Sequence, residues 1–275
     1  MRNKFIYIFF ISATIAVVLS CNGKQLSEQD RYQEYYGENQ EPFRLDSTLV
    51  SIYAIGEFTV SFETYDSLDI IDGDIYINDR LNTAFKVLGN VEFGKTWPDK
   101  IFVYTLSNGL PAQTIENIRF AINHWQNVTP IKFIERTTEK AYVTFAKGSS
   151  PTIGSSAVGQ TGGNQFIYLG SQTGKAVAIH EIGHALGLWH EQSRSDRDQY
   201  VKIIWSNIKR KNQFNFSIAG NPFGSYDFKS RMHYRKNAFS KNGQSTIVPL
   251  DSHNIIENDG YLSKGDIEAI QYLYK

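Results

Sequence analysis

A chain of 275 residues is long enough for one large or two small domains with a real core. With 41% hydrophobic and 14% aromatic residues it reads as globular rather than disordered. Its 28 basic and 28 acidic residues balance, which leaves no electrostatic case for nucleic acid as a partner.

The N-terminus carries more information. Arg2 and Lys4 precede an apolar run from Phe5 to Leu19. At about fifteen residues the run suits the core of a signal peptide over residues 1–21 better than a span, which needs about twenty. It ends at Val18-Leu19-Ser20-Cys21, which resembles the lipobox of bacterial lipoproteins. That resemblance implies export, lipidation of Cys21 and attachment to a membrane, at a periplasmic face or the cell surface, with release as a secreted protein the alternative. Cys21 is the single cysteine, so no disulfide forms within the chain.

Residues 22–42 are polar and read as a tether, and residues 44–63 alternate enough to contain short strands. From Trp97 the composition changes. Ile101 to Leu106 reads as a strand. Pro111 suits the first turn of a helix, which Ile115, Ile118, Ile122 and Trp125 continue at helical spacing. Ile131–Ile134, Tyr142–Phe145 and Phe166–Leu169 read as further strands, and Gly154–Gly163 as a glycine- and serine-rich loop. That loop lacks both the Lys-Ser/Thr pair and the GxGxxG order of phosphate sites.

Next comes Ala176 to Glu191, AVAIHEIGHALGLWHE. His180 and His184 stand four residues apart on a helix, so their imidazoles share one face and can meet one ion. Glu181 sits beside that ion, where it can take a proton from a metal-bound water. Gly187 lets the backbone take positive φ and turn sharply, which brings His190 round as a third nitrogen ligand. Three neutral imidazoles with an open position describe a catalytic zinc site. The rest of the chain is polar up to Tyr200, and it closes with Ser263 and Asp266 at capping-box spacing before an amphipathic helix on Ile267, Ile270 and Tyr274.

With these residues in view, the chain resembles the astacin family of metzincin zinc endopeptidases over about residues 97–274. The resemblance rests on HEIGHALGLWHEQSRSDRDQY from His180, on Val158 to Gln165, on Ser230-Arg231-Met232-His233-Tyr234, on Ala238-Phe239-Ser240 and on Leu262 to Tyr274. It implies an α+β, zincin-like catalytic domain over residues 88–275, with a small twisted sheet, a zinc helix and a Met-turn. A tether and prosegment over residues 22–87 precede it. It also implies one zinc per chain on His180, His184 and His190, with protein or peptide substrates.

In that family Glu181 is the general base, and Tyr234 ligates zinc at rest, then moves to hydrogen-bond the oxyanion. Met232 floors the metal. Glu191 pairs with the ammonium freed by an activating protease, whose cut would fall near Leu88 beside Lys86. Ile71-Asp72-Gly73-Asp74 resembles the prosegment element whose aspartate, here Asp74, holds the fourth zinc position; the thiolate of Cys21 is a rival blocker, and a plain turn is the other reading of Gly73-Asp74. Astacin domains commonly carry two disulfides, which packing must replace here. The competing function is an inactive astacin-like lipoprotein that keeps the fold for binding, but a decayed site loses a ligand or the base, and every one is present.

Overall fold

The computed structural model describes residues 74–75, 96–218, 220–257 and 259–275, together with the backbone of residues 50–55, 58–65, 68–71 and 76–77. The expected signal peptide with Cys21, the expected tether and the cleavage region expected around Lys86 and Leu88 lie outside the described residues.

Alternating β-branched and aromatic residues build the catalytic sheet. Its strands are β5 (Ile101–Leu106), β6 (Lys132–Glu135), β7 (Tyr142–Lys147), β8 (Gly154–Ser156) and β9 (Asn164–Leu169). β6, β5, β7 and β9 run parallel, and β8 pairs antiparallel with β9 as the last strand of this group. The stretch read from sequence as a loop therefore begins with a short strand. Gly154-Ser155-Ser156 has no strand propensity of its own; the unpaired edge of β9 supplies the partner that makes it one.

The sheet is also larger than the small one expected. Strands β1 (Val50–Ile55), β2 (Phe58–Tyr65), β3 (Leu68–Ile71) and β4 (Ile75–Ile77) form an antiparallel meander. β4 lies parallel to β8 with Ile75 opposite Ser156, which extends the order to β1-β2-β3-β4-β8-β9-β7-β5-β6. The edge of β8 is thus occupied by the segment before the catalytic domain.

Two helices bury their apolar faces on this sheet: α1 (Ala112–Val128) and α2 (Lys175–Ala185). Ile118, Ile122 and Trp125 of α1 meet Ile179 and Ile182 of α2 in one core with Phe102, Val143, Phe145 and Ile167. Burying each such side chain contributes about 1.5–3 kcal/mol. The indole of Trp125 donates to the Ile179 carbonyl at 3.1 Å, which fixes the two helices in register. A second cluster lies after the zinc helix, around Val201, Ile203, Phe216, Tyr226, Tyr234 and Ile247. It is framed by β10 (Val201–Ile203) paired with β11 (Ile247–Pro249).

Where disulfides are impossible, backbone contacts hold the loop from Ser149 to Gln172. Gly170 donates to Ile153 O at 3.1 Å, and Gln172 donates to Pro151 O at 2.8 Å. Helix α3 (Lys264–Leu273) closes the chain with both bonds of the capping box made: Asp266 N donates to Ser263 Oγ at 3.0 Å and Ser263 N to Asp266 at 2.9 Å.

Candidate metal centre and active site

Helix α2 ends as its sequence demands. Gly187 takes φ 111°. Its N–H bonds His184 O at 2.8 Å and Leu188 N–H bonds Gly183 O at 2.9 Å, the paired bonds of a Schellman end. The remaining C-terminal carbonyls are taken by distant aromatics: Trp97 Nε1 donates to Ala185 O at 2.9 Å and Tyr274 Oη to Leu186 O at 3.0 Å. This bracing turns the chain back so that His190 faces the helix.

The three histidines converge. His180 Nε2 lies 3.0 Å from His184 Nε2 and 3.2 Å from His190 Nε2. On the far side of the first two rings, His180 Nδ1 meets Arg231 O at 2.9 Å and His184 Nδ1 meets Leu188 O at 2.8 Å. A carbonyl only accepts, so each Nδ1 carries the proton and each Nε2 turns a lone pair inward. Lone pairs packed this closely repel unless a cation sits between them. Nitrogens at about 2.0–2.1 Å around a tetrahedral zinc stand about 3.3 Å apart, close to the separations found. The donor set fits zinc.

Asp74 faces the three imidazoles. Its carboxylate oxygens lie 3.3 Å from His180 Nε2, 3.5 Å from His184 Nε2 and 3.2 Å from His190 Nε2. Among the described residues, these four are the group able to hold a metal ion. The Asp74 backbone is held by the edge of the sheet, where Ser156 N–H donates to Asp74 O at 3.0 Å. Burial alone would raise the Asp74 carboxyl, but His190 and the two other imidazoles around it outweigh that and hold the group well below the usual carboxylate range. Burial also pushes His180 down to about 4, against the pull of Asp74.

Glu181 is 1% exposed and stands beside this cluster. Strand β8 passes so close that a side chain at Gly154 would collide with Glu181 Oε1. Burial, then the charge of Asp74, pushes the Glu181 carboxyl well above its ordinary range. A carboxyl raised in this way holds a proton more tightly than an exposed glutamate, as a group that must take one from water requires. Met232 is buried with its sulfur against Gly183, under the ligand helix. The ring of Tyr234 lies 4.6 Å from that of His190, between Phe216 and Phe239.

The match to known proteins follows the same residues. A family model described as Astacin, a peptidase family, matches residues 90–275. The chain belongs to the astacin family. Bone morphogenetic protein 1 of Xenopus laevis is 35% identical over 193 residues, 66% of this chain and 27% of that protein. Human tolloid-like protein 2 is 37% identical over 194 residues, 66% of this chain and 19% of that protein. The chain thus spans under a third of the length of these relatives. Among solved structures, high choriolytic enzyme 1, a hatching enzyme zinc-protease from Oryzias latipes, superposes with a TM-score of 0.60 at 31% identity, covering 66% of this chain and 94% of that one. The domain is an astacin zinc metallopeptidase domain with the mixed α+β fold of that family, and its cofactor is zinc.

Glu191 follows the third histidine and lines a cavity of about 390 Å³ with Trp189, Arg194, Phe223, Tyr226 and Tyr272. Burial raises its carboxyl to about 7, against Arg194 and the Asp227 N–H, which lower it. Arg194 Nη1 reaches Glu191 Oε1 at 2.8 Å, and Asp227 N–H donates to the same oxygen at 2.7 Å.

Sequence reasoning passed over several residues that hold the site. Asp266 appears in sequence only as a helix cap, yet its carboxylate also accepts from Ser230 Oγ at 2.6 Å and Arg231 N at 2.8 Å, tying α3 to the Met-turn. Gln192 accepts from Tyr234 N at 2.9 Å. Arg194 and Tyr226 were likewise unmarked. For Asp266 and Gln192 no local pattern reveals the role, because their bonds join segments 35 to 42 residues apart in the chain.

Proposed function

We propose that the whole chain is an exported zinc endopeptidase, made as a zymogen and anchored to a membrane through a lipid on Cys21. The observation that carries the catalytic part is the convergence of His180, His184 and His190 Nε2 atoms beside the buried Glu181. An astacin-like binding protein without activity would have no use for a buried carboxylate held next to three ligands.

When bound, zinc acts as a Lewis acid that lowers the pKa of water to about 7 and polarises the substrate carbonyl. Glu181 then takes a proton from the attacking water and later delivers it to the leaving amine, so one carboxyl serves both halves of hydrolysis. Tyr234, whose ring packs beside His190, would hold the metal at rest together with the three histidines and would donate its hydroxyl to the oxyanion as charge develops. Its contribution falls in the transition state and so in kcat. Substrates are proteins or peptides, in keeping with the relatives named as proteinases and with the hatching enzyme. Stripping the metal with a chelator is expected to abolish peptide hydrolysis, and one equivalent of zinc to restore it. Hydrolysis that survives complete metal removal would rule out this mechanism.

Asp74 is the inhibitor in the zymogen. A catalytic zinc site keeps one position open, and Asp74 closes it. The Asp74 carboxylate stands within 3.5 Å of all three histidine Nε2 atoms, which supports it as the blocker. An activating protease cutting near Leu88 removes Asp74 and frees an ammonium. That ammonium enters the cavity and joins Arg194 at Glu191, offsetting part of the cost of burying a carboxylate.

Anchoring rests on the short apolar run and on Val18 to Cys21. No helix among the described residues is long and apolar enough to cross a membrane. Two or more acyl chains make attachment stable. The protein is therefore expected in the membrane fraction, with Cys21→Ser shifting it to the soluble one. An unmodified N-terminus at another residue, found by mass spectrometry, would overturn the anchor.

A further inference from the structure

Tyr234 must present its hydroxyl to the oxyanion within a few tenths of an ångström, yet it follows a turn rather than sitting in a helix or strand. Both of its backbone groups are gripped by side chains. The Tyr234 N–H goes to Gln192 Oε1 at 2.9 Å, and the Tyr234 carbonyl meets His233 Nδ1 at 2.6 Å. A carbonyl can only accept, so His233 Nδ1 carries the proton and its Nε2 offers a lone pair. Tyr226 Oη lies 2.8 Å from that Nε2 and must donate to it. Tyr226 and His233 are both buried, 7% and 2% exposed, so neither bond competes with bulk water.

The far end of this relay is rigid. The Tyr226 ring stacks on Tyr200 at 4.9 Å and 15°, and packs against Phe228 at 5.0 Å. The Arg194 guanidinium lies 5.4 Å over its face, and the ring also lines the cavity that holds Glu191. The hydroxyl of Tyr226 touches neither the metal cluster nor the cleft in any contact described.

We propose that Tyr226, acting through His233, is a positioning residue that sets Tyr234 for oxyanion stabilisation. This rests on the role given to Tyr234 under the proposed function. Loss of the Tyr226 hydroxyl removes the bond that holds the Nε2 side of His233, and so loosens the donor at the Tyr234 carbonyl. A displacement of about 1 Å in an oxyanion donor costs up to about a hundredfold in rate. The relay also ends on a wall of the Glu191 cavity, so an occupant of that cavity can bias Tyr234 through two side chains.

The test is a double-mutant cycle between Tyr226→Phe and Tyr234→Phe on the full chain, assayed before and after limited proteolysis. Tyr226→Phe alone is expected to lower kcat about tenfold, with KM, zinc content and thermal unfolding little changed. In the Tyr234→Phe background the same change is expected to have no further effect. Multiplicative losses in the double variant, or full activity in Tyr226→Phe, would overturn the relay while leaving Tyr234 in place. Full activity in Tyr234→Phe would overturn the role of Tyr234 and the relay with it.

His233→Asn is the second variant, because its amide nitrogen can stand where Nδ1 does but offers Tyr226 nothing. It should retain activity near the Tyr226→Phe level and make Tyr226→Phe silent; a further loss on adding Tyr226→Phe would count against the relay. Independently of activity, histidine ¹⁵N NMR of the metal-free chain should report His233 protonated on Nδ1. A proton on Nε2 would exclude the hydrogen bond from Tyr226.

Discussion

Glu181→Gln is expected to bind about one zinc per chain and to lose peptide hydrolysis on the order of 10³- to 10⁴-fold. That loss is about 4–5.5 kcal/mol of transition-state stabilisation. Glutamine keeps the size of the side chain beneath Gly154, so the close passage of β8 is preserved. It cannot accept a proton from water or deliver one to the leaving amine. The three histidines stay untouched, and their Nδ1 bonds to Arg231 O and Leu188 O keep the inward lone pairs in place. Metal analysis and a peptide assay on the same preparation decide the matter. Activity within tenfold of the native protein would remove Glu181 from the chemistry.

Asp74→Ala is expected to raise the activity of the uncleaved chain about 10- to 100-fold. That range corresponds to about 1.4–2.8 kcal/mol of blocking interaction lost with the carboxylate, since each 1.4 kcal/mol is a factor of ten. Offsetting this, the β4 pairing with β8 does not depend on the carboxylate, because Ser156 bonds the Asp74 backbone. The prosegment therefore keeps hold of the sheet edge after the substitution, and release is partial. Uncleaved native protein and the variant should be assayed on one peptide. Equal rates would mean that the carboxylate does not control access, and that the pairing at β8 or nothing at all silences the precursor.

The metal site was legible in the sequence because it is mostly local. His180, Glu181 and His184 fall on one helix, and Gly187 and His190 follow within six residues, so spacing alone fixes their relation. The same holds for Ser263 with Asp266 and for the apolar period of α1. The Met-turn was different: Met232 and Tyr234 carry no period or spacing, and only resemblance to a family marked them. Gly154 to Ser156 was read as loop because strand formation there depends on a partner edge, and the sequence of an edge does not name its partner.

What the sequence determines by itself is chemistry carried by spacing: a helix with two ligands, a glycine turn, a third ligand and a base. Those need only helical geometry and one residue free to take positive φ. What the tertiary structure decides is every contact between distant segments. It brings Asp74 to three imidazoles more than a hundred residues later, adds strands β1 to β4 to the catalytic sheet, sets the Asp227 N–H on Glu191, and ties Gln192 to the backbone of Tyr234. Such pairs depend on how the whole core closes, because burial makes an unpaired polar group costly and so selects partners by position in space rather than along the chain.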